Sequence, residues 1–155
     1  MNCLFKAAVA TILTLVVAQM SFAADASVGD TAKIKRAALD YLESQQLVKP
    51  EMMKRSLHKK FAKRTFWNSG GADFISENNY DGMVRLAEVY NKEGNGFPKN
   101  PRKEVVILDV EGRTASVKLY ADDFIDHLHI VKLEGEWKVI NALWQYNDIS
   151  KHIRK

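Results

Sequence analysis

Cysteine is almost absent from this chain of 155 residues, which contains a single one, Cys3. Packing rather than disulfide bonds must hold the fold, and thiol chemistry is excluded for the rest of the chain. Cys3 precedes the apolar N-terminal run, where a lipoprotein cysteine would not lie, so we expect no lipid anchor. The sequence also lacks a serine nucleophile elbow, a glycine-rich phosphate loop and a CxxC motif. Gly94-Asn95-Gly96 is a loop and not a nucleotide fingerprint, because no strand precedes it.

One apolar run stands out, and it lies near the N-terminus. It covers residues 7–18, follows the positive charge of Lys6, and is followed by Ser21-Phe22-Ala23, a small-x-small cleavage pattern. This order predicts a secretory signal peptide over residues 1–23, with cleavage after Ala23 or at the neighbouring alanine. The run is too short for a comfortable membrane span, although an uncleaved N-terminal anchor is the alternative. We therefore expect a periplasmic or secreted protein without a membrane anchor after cleavage.

The charge of the chain is moderately basic. The whole chain has 23 basic and 19 acidic residues, which gives a net charge of +4. Cleavage of the signal peptide removes one basic residue, Lys6, so the net charge falls to about +3. The excess is concentrated in residues 49–64 and in the tail Lys151–Lys155. Such runs usually form a solvated face, with an anionic partner or membrane surface as the alternative. Because the chain has no helix-turn-helix, zinc-finger or aromatic RNA-binding motif, we expect no nucleic-acid partner.

Helical periodicity dominates the first part of the remaining chain. Asp30 is a candidate cap for a helix starting at Thr31 and ending near Val48, and Pro50 suits the first turn of a second helix through Leu57. Residues 61–67 look extended or irregular. Asn78 or Asn79 caps a third helix that includes Tyr90, and a short extended piece at Phe74 and Ile75 precedes it.

From Arg102 onward the apolar residues alternate with a period of two, which is typical of strands. We expect four strands, with turns at Glu111-Gly112 and Glu134-Gly135 and a third strand over Asp123–Leu133. Helices followed by a strand meander predict an α+β fold with helices packed on one face of an antiparallel sheet. Residues 24–155 form one domain, which is long enough to bury its own core.

Several segments carry a resemblance to known proteins: Ala37–Leu42, Leu57-His58, Phe61–Arg64, Val106–Gly112, Ala115–Lys118, Asp126–Lys132 and Gly135–Trp144. They resemble the nuclear transport factor 2-like superfamily, a cystatin-like α+β cone, and within it the small bacterial "putative lumazine-binding" family. The similarity extends over nearly the whole mature chain, and the last two segments are its most specific parts. One departure is Lys59, since the family often places proline after the histidine that corresponds to His58. The resemblance implies a curved sheet and helices around a conical, mostly apolar pocket. Its members include cyclases, isomerases, dehydratases and non-catalytic modules, so the fold alone does not select a function.

The strand pattern suggests which side chains face this pocket. If Lys138 faces out, Trp137, Val139, Asn141 and Leu143 face in. Asn141 is then either a polar group on the pocket wall or an amide bonded to neighbouring backbone. We expect Asn141, Trp137, His129 and Tyr41 to contact a ligand.

Acid–base chemistry, if any, would use His58, Asp126 and His129, since a carboxylate beside an imidazole raises its basicity. His127 and His129 also resemble an i, i+2 metal-ligand pair, with His58 or Asp126 as the third ligand. Two ligands do not make a site, and simple alternation points Asp126 away from the histidines. A buried, hydrogen-bonded His129 is the simpler interpretation, and we expect neither a metal nor another cofactor.

These patterns predict an exported protein that binds a small, largely apolar or aromatic molecule. A cyclase, isomerase or dehydratase with a His/Asp acid–base site is one alternative, and a homodimeric interaction module with a filled pocket is another. The third and fourth of the four predicted strands are apolar on both faces, which suggests that a second copy covers the outer face of the sheet. A homodimer is therefore expected.

Overall fold

The structure of the protein, a computed structural model, describes residues 27–154. The predicted signal peptide, residues 1–23, lies outside the described residues. Three helices are present in the described part: α1 (Val28–Gln46), α2 (Pro50–Ser56) and α3 (Tyr80–Val89). None of them is long and apolar enough to cross a membrane.

The helix boundaries follow from their caps. Helix α1 begins earlier than predicted because Ser27, and not Asp30, caps it: the Ser27 hydroxyl accepts a hydrogen bond from the Asp30 backbone N–H at 3.1 Å. Helix α3 starts where predicted, since the Asn79 side chain accepts from the backbone N–H of Gly82 at 3.0 Å. Such caps satisfy N–H groups that have no partner within the helix.

A curved sheet of seven strands forms the second layer. The strands are β1 (Leu57–Ser69), β2 (Ala72–Asn79), β3 (Glu104–Glu111), β4 (Thr114–Tyr120), β5 (Phe124–Leu133), β6 (Glu136–Tyr146) and β7 (Ile153–Arg154), and a 3-10 turn, Ile149–His152, precedes the last. Their order is β2-β1-β6-β5-β4-β3, with β7 beside β1. The stretch expected to be extended or irregular is thus part of the long strand β1.

The predicted α+β fold is confirmed, but the sheet has seven strands where four were expected, and it is not purely antiparallel. Strand β1 runs parallel to β6 and to β7, whereas the other pairs are antiparallel, so the sheet is mixed. The parallel pair needs a long crossover, which α3 and the following strands provide.

The helices cover one face of the sheet, here called the inner face, and the opposite one is the outer face. Buried apolar side chains from both layers meet there: Ile34, Leu42, Met83, Val117, Leu128, Ile130 and Val139. Two strands carry one extra residue each, Leu108 in β3 and Ile140 in β6, where the pairing register shifts. Beyond such a bulge the alternation of side chains reverses.

Candidate ligand-binding cavity

A cavity of about 290 Å³ lies between the inner face of the sheet and the helices. Its walls combine seven aromatic and apolar residues with seven polar ones: Trp67, Tyr90, Phe124, Trp144, Tyr146, Met83 and Leu86, together with Gln45, Thr65, Ser76, Asn78, Lys63, Asp123 and Arg154. Hydrophobic and aromatic side chains with polar groups among them are typical of small-molecule sites, although this lining is more polar than most.

Strands β1 and β6 provide one wall because alternate residues share a face. Lys63, Thr65 and Trp67, each two positions apart on β1, all line the cavity, as do Trp144 and Tyr146 on β6. The buried Thr65 hydroxyl donates to the Trp144 carbonyl at 2.6 Å and ties the two strands together. The rings of Trp67 and Trp144 meet edge to face with centroids 6.3 Å apart. These contacts give the wall a fixed shape.

A buried polar group of three side chains lies at the edge of this cavity. Lys63 Nζ is 3.1 Å from Asp126 Oδ1 and donates to the Tyr41 hydroxyl at 2.5 Å, and that hydroxyl donates to Asp126 Oδ1 at 3.1 Å. The Asp126 side chain is fully buried, and that of Lys63 is 11% exposed. Burial, and secondly the negative charge of Asp126, raise the pKa of Tyr41 well above its usual value, so Tyr41 remains a neutral donor.

The ammonium of Lys63 faces the aromatic wall as well as Asp126. Its Nζ lies 4.9 Å from the ring centre of Trp144 and 5.4 Å from that of Phe124. An ammonium has three N–H groups, and the two polar contacts with Tyr41 and Asp126 use two of them. The third is available to an acceptor atom in the cavity.

The inward orientation predicted for Asn141 is wrong. Strand β6 carries the extra residue Ile140, which shifts the alternation of its side chains by one position. Trp137 and Val139 face inward before this bulge, and the next inward side chain is that of Ala142, not that of Asn141. Asn141 is on the outer face, where its Oδ1 accepts from Arg64 at 3.1 Å. Leu143, also expected to face in, is 55% exposed.

Trp137 and Tyr41 are buried as expected, but neither lines the cavity. Trp137 packs at the other end of the inner face, where its Nε1–H donates to Asp30 Oδ1 at 2.8 Å. Tyr41 contributes indirectly by holding Lys63 and Asp126.

The structure does not assemble His58, Asp126 and His129 into an acid–base set. Asp126 points inward, whereas His127 and His129 are exposed on the outer face, so the alternation that separates Asp126 from the histidines is confirmed. The expectation of a buried His129 is wrong. His129 Nδ1 lies 3.3 Å from Asn141 Nδ2, and His58 Nδ1 accepts from the Lys60 backbone N–H at 3.1 Å. In residues 27–154, no three His, Cys, Asp or Glu side chains are grouped as a metal site would require.

Sequence reasoning missed the two cations of the cavity, Lys63 and Arg154. Both were assigned to solvated basic runs, because charge alone does not show which cation of a run turns inward. The signal that was present is the alternation of Lys63, Thr65 and Trp67, which is typical of a strand whose one face is enclosed. Trp67 and Trp144 form part of the same wall.

Comparisons with known proteins agree with this architecture. The model of the family described as "Putative lumazine-binding" matches residues 29–145. No curated protein matches the chain. Among solved structures, a nuclear transport factor 2-like protein of unknown function from Silicibacter pomeroyi has a TM-score of 0.61 at 15% identity, covering 79% of this chain and 99% of its own.

Two further structures show the same fold at low identity. A protein of unknown function with a cystatin-like fold from Nostoc punctiforme has a TM-score of 0.56 at 13% identity, covering 79% of this chain and 94% of its own. A ketosteroid isomerase-like protein from Erwinia carotovora atroseptica has a TM-score of 0.50 at 11% identity, covering 76% and 95%. At these identities the likeness shows the fold alone. Because the family model spans most of the chain, the protein belongs to the putative lumazine-binding family.

Proposed function

We propose that the protein binds a small, largely apolar or aromatic molecule in the cavity between the helices and the inner face of the sheet. The observation that carries the proposal is the cavity of about 290 Å³, whose walls include five aromatic side chains and the ammonium of Lys63. Aromatic walls favour flat rings through stacking and edge contacts. The name of the family, lumazine-binding, supports a ligand of the flat heteroaromatic kind.

The two alternative functions receive less support from the described residues. An interaction module with a filled pocket would leave no cavity of this size. An acid–base enzyme of the expected kind would need His58 and His129 bonded to Asp126. Asp126 is instead held by Tyr41 and Lys63, and His129 lies on the other face of the sheet. Ligand binding requires neither arrangement.

The test is native mass spectrometry of the protein purified without denaturation. We expect a discrete additional mass on the wild type, released on unfolding. A cavity-filling variant, Ser76→Phe, should lose this mass, because Ser76 lines the cavity. Ile75→Phe is the matched control, since Ile75 is the preceding residue of β2, is 65% exposed and does not line the cavity. A wild type that never carries a discrete mass, and that no small aromatic compound stabilises against heat, would overturn the proposal.

A second copy of the chain on the outer face is part of this proposal. That face exposes Leu108 and Leu143, each 55% accessible. Acidic residues of β3, including Glu104 and Glu111, lie at one edge of the sheet, and Lys118 lies on the neighbouring strand β4. A second copy related by a twofold axis would bury the exposed apolar side chains and leave charged residues around them.

Sedimentation velocity tests the dimer. Leu143→Glu should convert a dimer of the wild type into a monomer. Val89→Glu, at a residue of α3 with the same 55% exposure, should remain a dimer. A monomeric wild type contradicts this part of the proposal without affecting ligand binding.

Export through the predicted signal peptide completes the proposal. The basic residue Lys6, the apolar run and Ser21-Phe22-Ala23 support it. N-terminal sequencing of the protein recovered from a periplasmic extract should begin at Ala24. Recovery of the chain only from the cytoplasm, with Met1 retained, would contradict it.

A further inference from the structure

The last segment of the chain, residues 149–154, supplies part of the cavity wall. The family match ends at residue 145, so this segment lies beyond the part that the family model describes. Arg154 nevertheless lines the cavity.

Buried His152 fixes this segment against the sheet. Its side chain is inaccessible, its Nε2 accepts a hydrogen bond from the Tyr146 backbone N–H at 2.8 Å, and its ring stacks on Phe66 with centroids 4.4 Å apart. Strand β7 then pairs with β1, with Arg154 opposite Ser69. The guanidinium lies 4.4 Å from the ring centre of Trp67. This packing positions the cation at the aromatic wall.

The charges that line the cavity do not cancel. Lys63 is paired with Asp126 at 3.1 Å, and Asp123, the one acidic residue of the lining, is paired with Lys151 at 3.2 Å. Within residues 27–154 no carboxylate lies within salt-bridge distance of Arg154. The guanidinium carbon lies over the ring of Trp67, and such a cation–π contact leaves N–H donors of the guanidinium available to a ligand.

We propose that Arg154 makes the cavity selective for aromatic molecules that carry an acidic group, such as an aromatic carboxylate. The inference rests on the proposed function and adds the chemical class of the ligand. A planar guanidinium binds a carboxylate with two parallel hydrogen bonds, whereas the aromatic walls hold the ring. An aromatic cation would be repelled by the guanidinium and bind least well.

Three probes with one ring system and different charges test this selectivity: 2-naphthoate, 2-naphthamide and 2-naphthylmethylammonium. Isothermal titration of the purified protein should show naphthoate binding about tenfold more tightly than naphthamide, and the ammonium compound weakest. Tenfold is the typical magnitude for one charge-assisted contact that is partly exposed to water. The amide reports on the aromatic cavity without the charge.

The variants locate the effect. Arg154→Gln should leave the affinity for naphthamide unchanged and weaken that for naphthoate, so that the two affinities differ by no more than about twofold. Arg154→Lys should retain part of the preference for naphthoate over naphthamide. Arg85→Gln is the matched control, because it removes the same charge from an exposed position of α3 outside the cavity. Unchanged melting temperatures verify that the terminal segment stays folded.

The possible failures can be told apart. Equal affinity of the wild type for naphthoate and naphthamide overturns the acidic ligand class but leaves the aromatic cavity standing. A preference that survives in Arg154→Gln overturns the role of Arg154. Failure of all three probes to bind overturns the inference, and the native mass of the wild type then decides the proposed function independently.

Discussion

Polar side chains on the two faces of the β5–β6 hairpin have opposite environments, buried on one face and exposed on the other. On the inner face Asp126 is fully buried and held by Tyr41 and Lys63. On the outer face His129 is exposed and contacts Asn141 at 3.3 Å. Burying a charge is costly unless it is paired, whereas an exposed imidazole is hydrated in the folded and the unfolded chain alike. We therefore expect the polar side chains on the inner face of this hairpin to contribute more to the free energy of unfolding than those on the outer face.

This contrast shows that distant elements decide the role of a polar residue in a strand. Asp126 is buried because α1 and β1 bring a phenol and an ammonium to it from 85 and 63 positions away along the chain. Nothing next to Asp126 in the sequence distinguishes it from a solvated carboxylate. The following predictions test the contrast, beginning with the strongest.

The largest effect is expected for Asp126→Leu. Removing the carboxylate leaves the ammonium of Lys63 in an aromatic environment without its partner, which should lower the free energy of unfolding by about 3–5 kcal/mol. Urea denaturation followed by circular dichroism measures the loss. The double variant Asp126→Leu/Lys63→Met should recover most of it, because both charges are then absent. A loss below about 1 kcal/mol in the single variant would show that water replaces the lost contact.

A smaller loss is expected for Tyr41→Phe. The phenol connects the ammonium and the carboxylate, so its removal leaves two charged groups with one fewer hydrogen bond each. The free energy of unfolding should fall by about 1–3 kcal/mol in the same urea experiment. Tyr120→Phe, at a half-buried residue of the outer face, is the control and should change it by less than about 0.5 kcal/mol. Equal effects of the two changes would refute the contrast between the faces.

The sequence predicted the architecture well because its periodicities are strong. The change from helical spacing to alternation near Arg102, the caps around α3 and the turns at Gly112 and Gly135 all have local chemical causes. Strand β1 was less clear, since Lys63, Arg64 and Asn68 interrupt its apolar pattern. Its parallel pairing with β6 depends on contacts far apart in the chain, which alternation does not reveal.

The site was predicted less well, and one residue explains much of the difference. Ile140 is an extra residue in β6, so counting alternate positions from Trp137 gives the wrong face for Asn141 and Leu143. A bulge has no reliable local signal in a single sequence. Similarly, Lys63 resembles every other residue of its basic run until the fold places it beside Asp126. Site geometry therefore depended on two long-range features that composition and periodicity do not contain.

A pH-dependent effect is expected at the other end of the inner face, where Asp30 accepts hydrogen bonds from Lys132 and Trp137. The bond from Lys132, followed by that from Trp137, lowers the pKa of Asp30 to about 2. A depressed pKa stabilises the fold above the ordinary value of 3.8, and this contribution is lost as the pH falls from about 4 towards 2.

Thermal melting across this pH range measures the contribution of Asp30. Asp30→Asn should flatten the decline of the melting temperature between pH 4 and pH 2, and it should have the same curve shape as the wild type above pH 5. Asp81→Asn, in the first turn of α3, is the matched control and should leave the decline intact. An unchanged decline in Asp30→Asn would assign the acid sensitivity to other carboxylates.

The smallest effect is expected for His129→Ala, although the sequence alone marked His129 as a candidate for catalysis and binding. Its ring is on the outer face and does not line the cavity. We expect the affinity for 2-naphthamide to change by less than about twofold and the free energy of unfolding by less than about 0.5 kcal/mol. Lys63→Met, whose side chain lines the cavity, should change the affinity more. If His129→Ala weakened binding more than Lys63→Met, ligand would have to bind on the outer face, and the contrast between the two faces would be reversed.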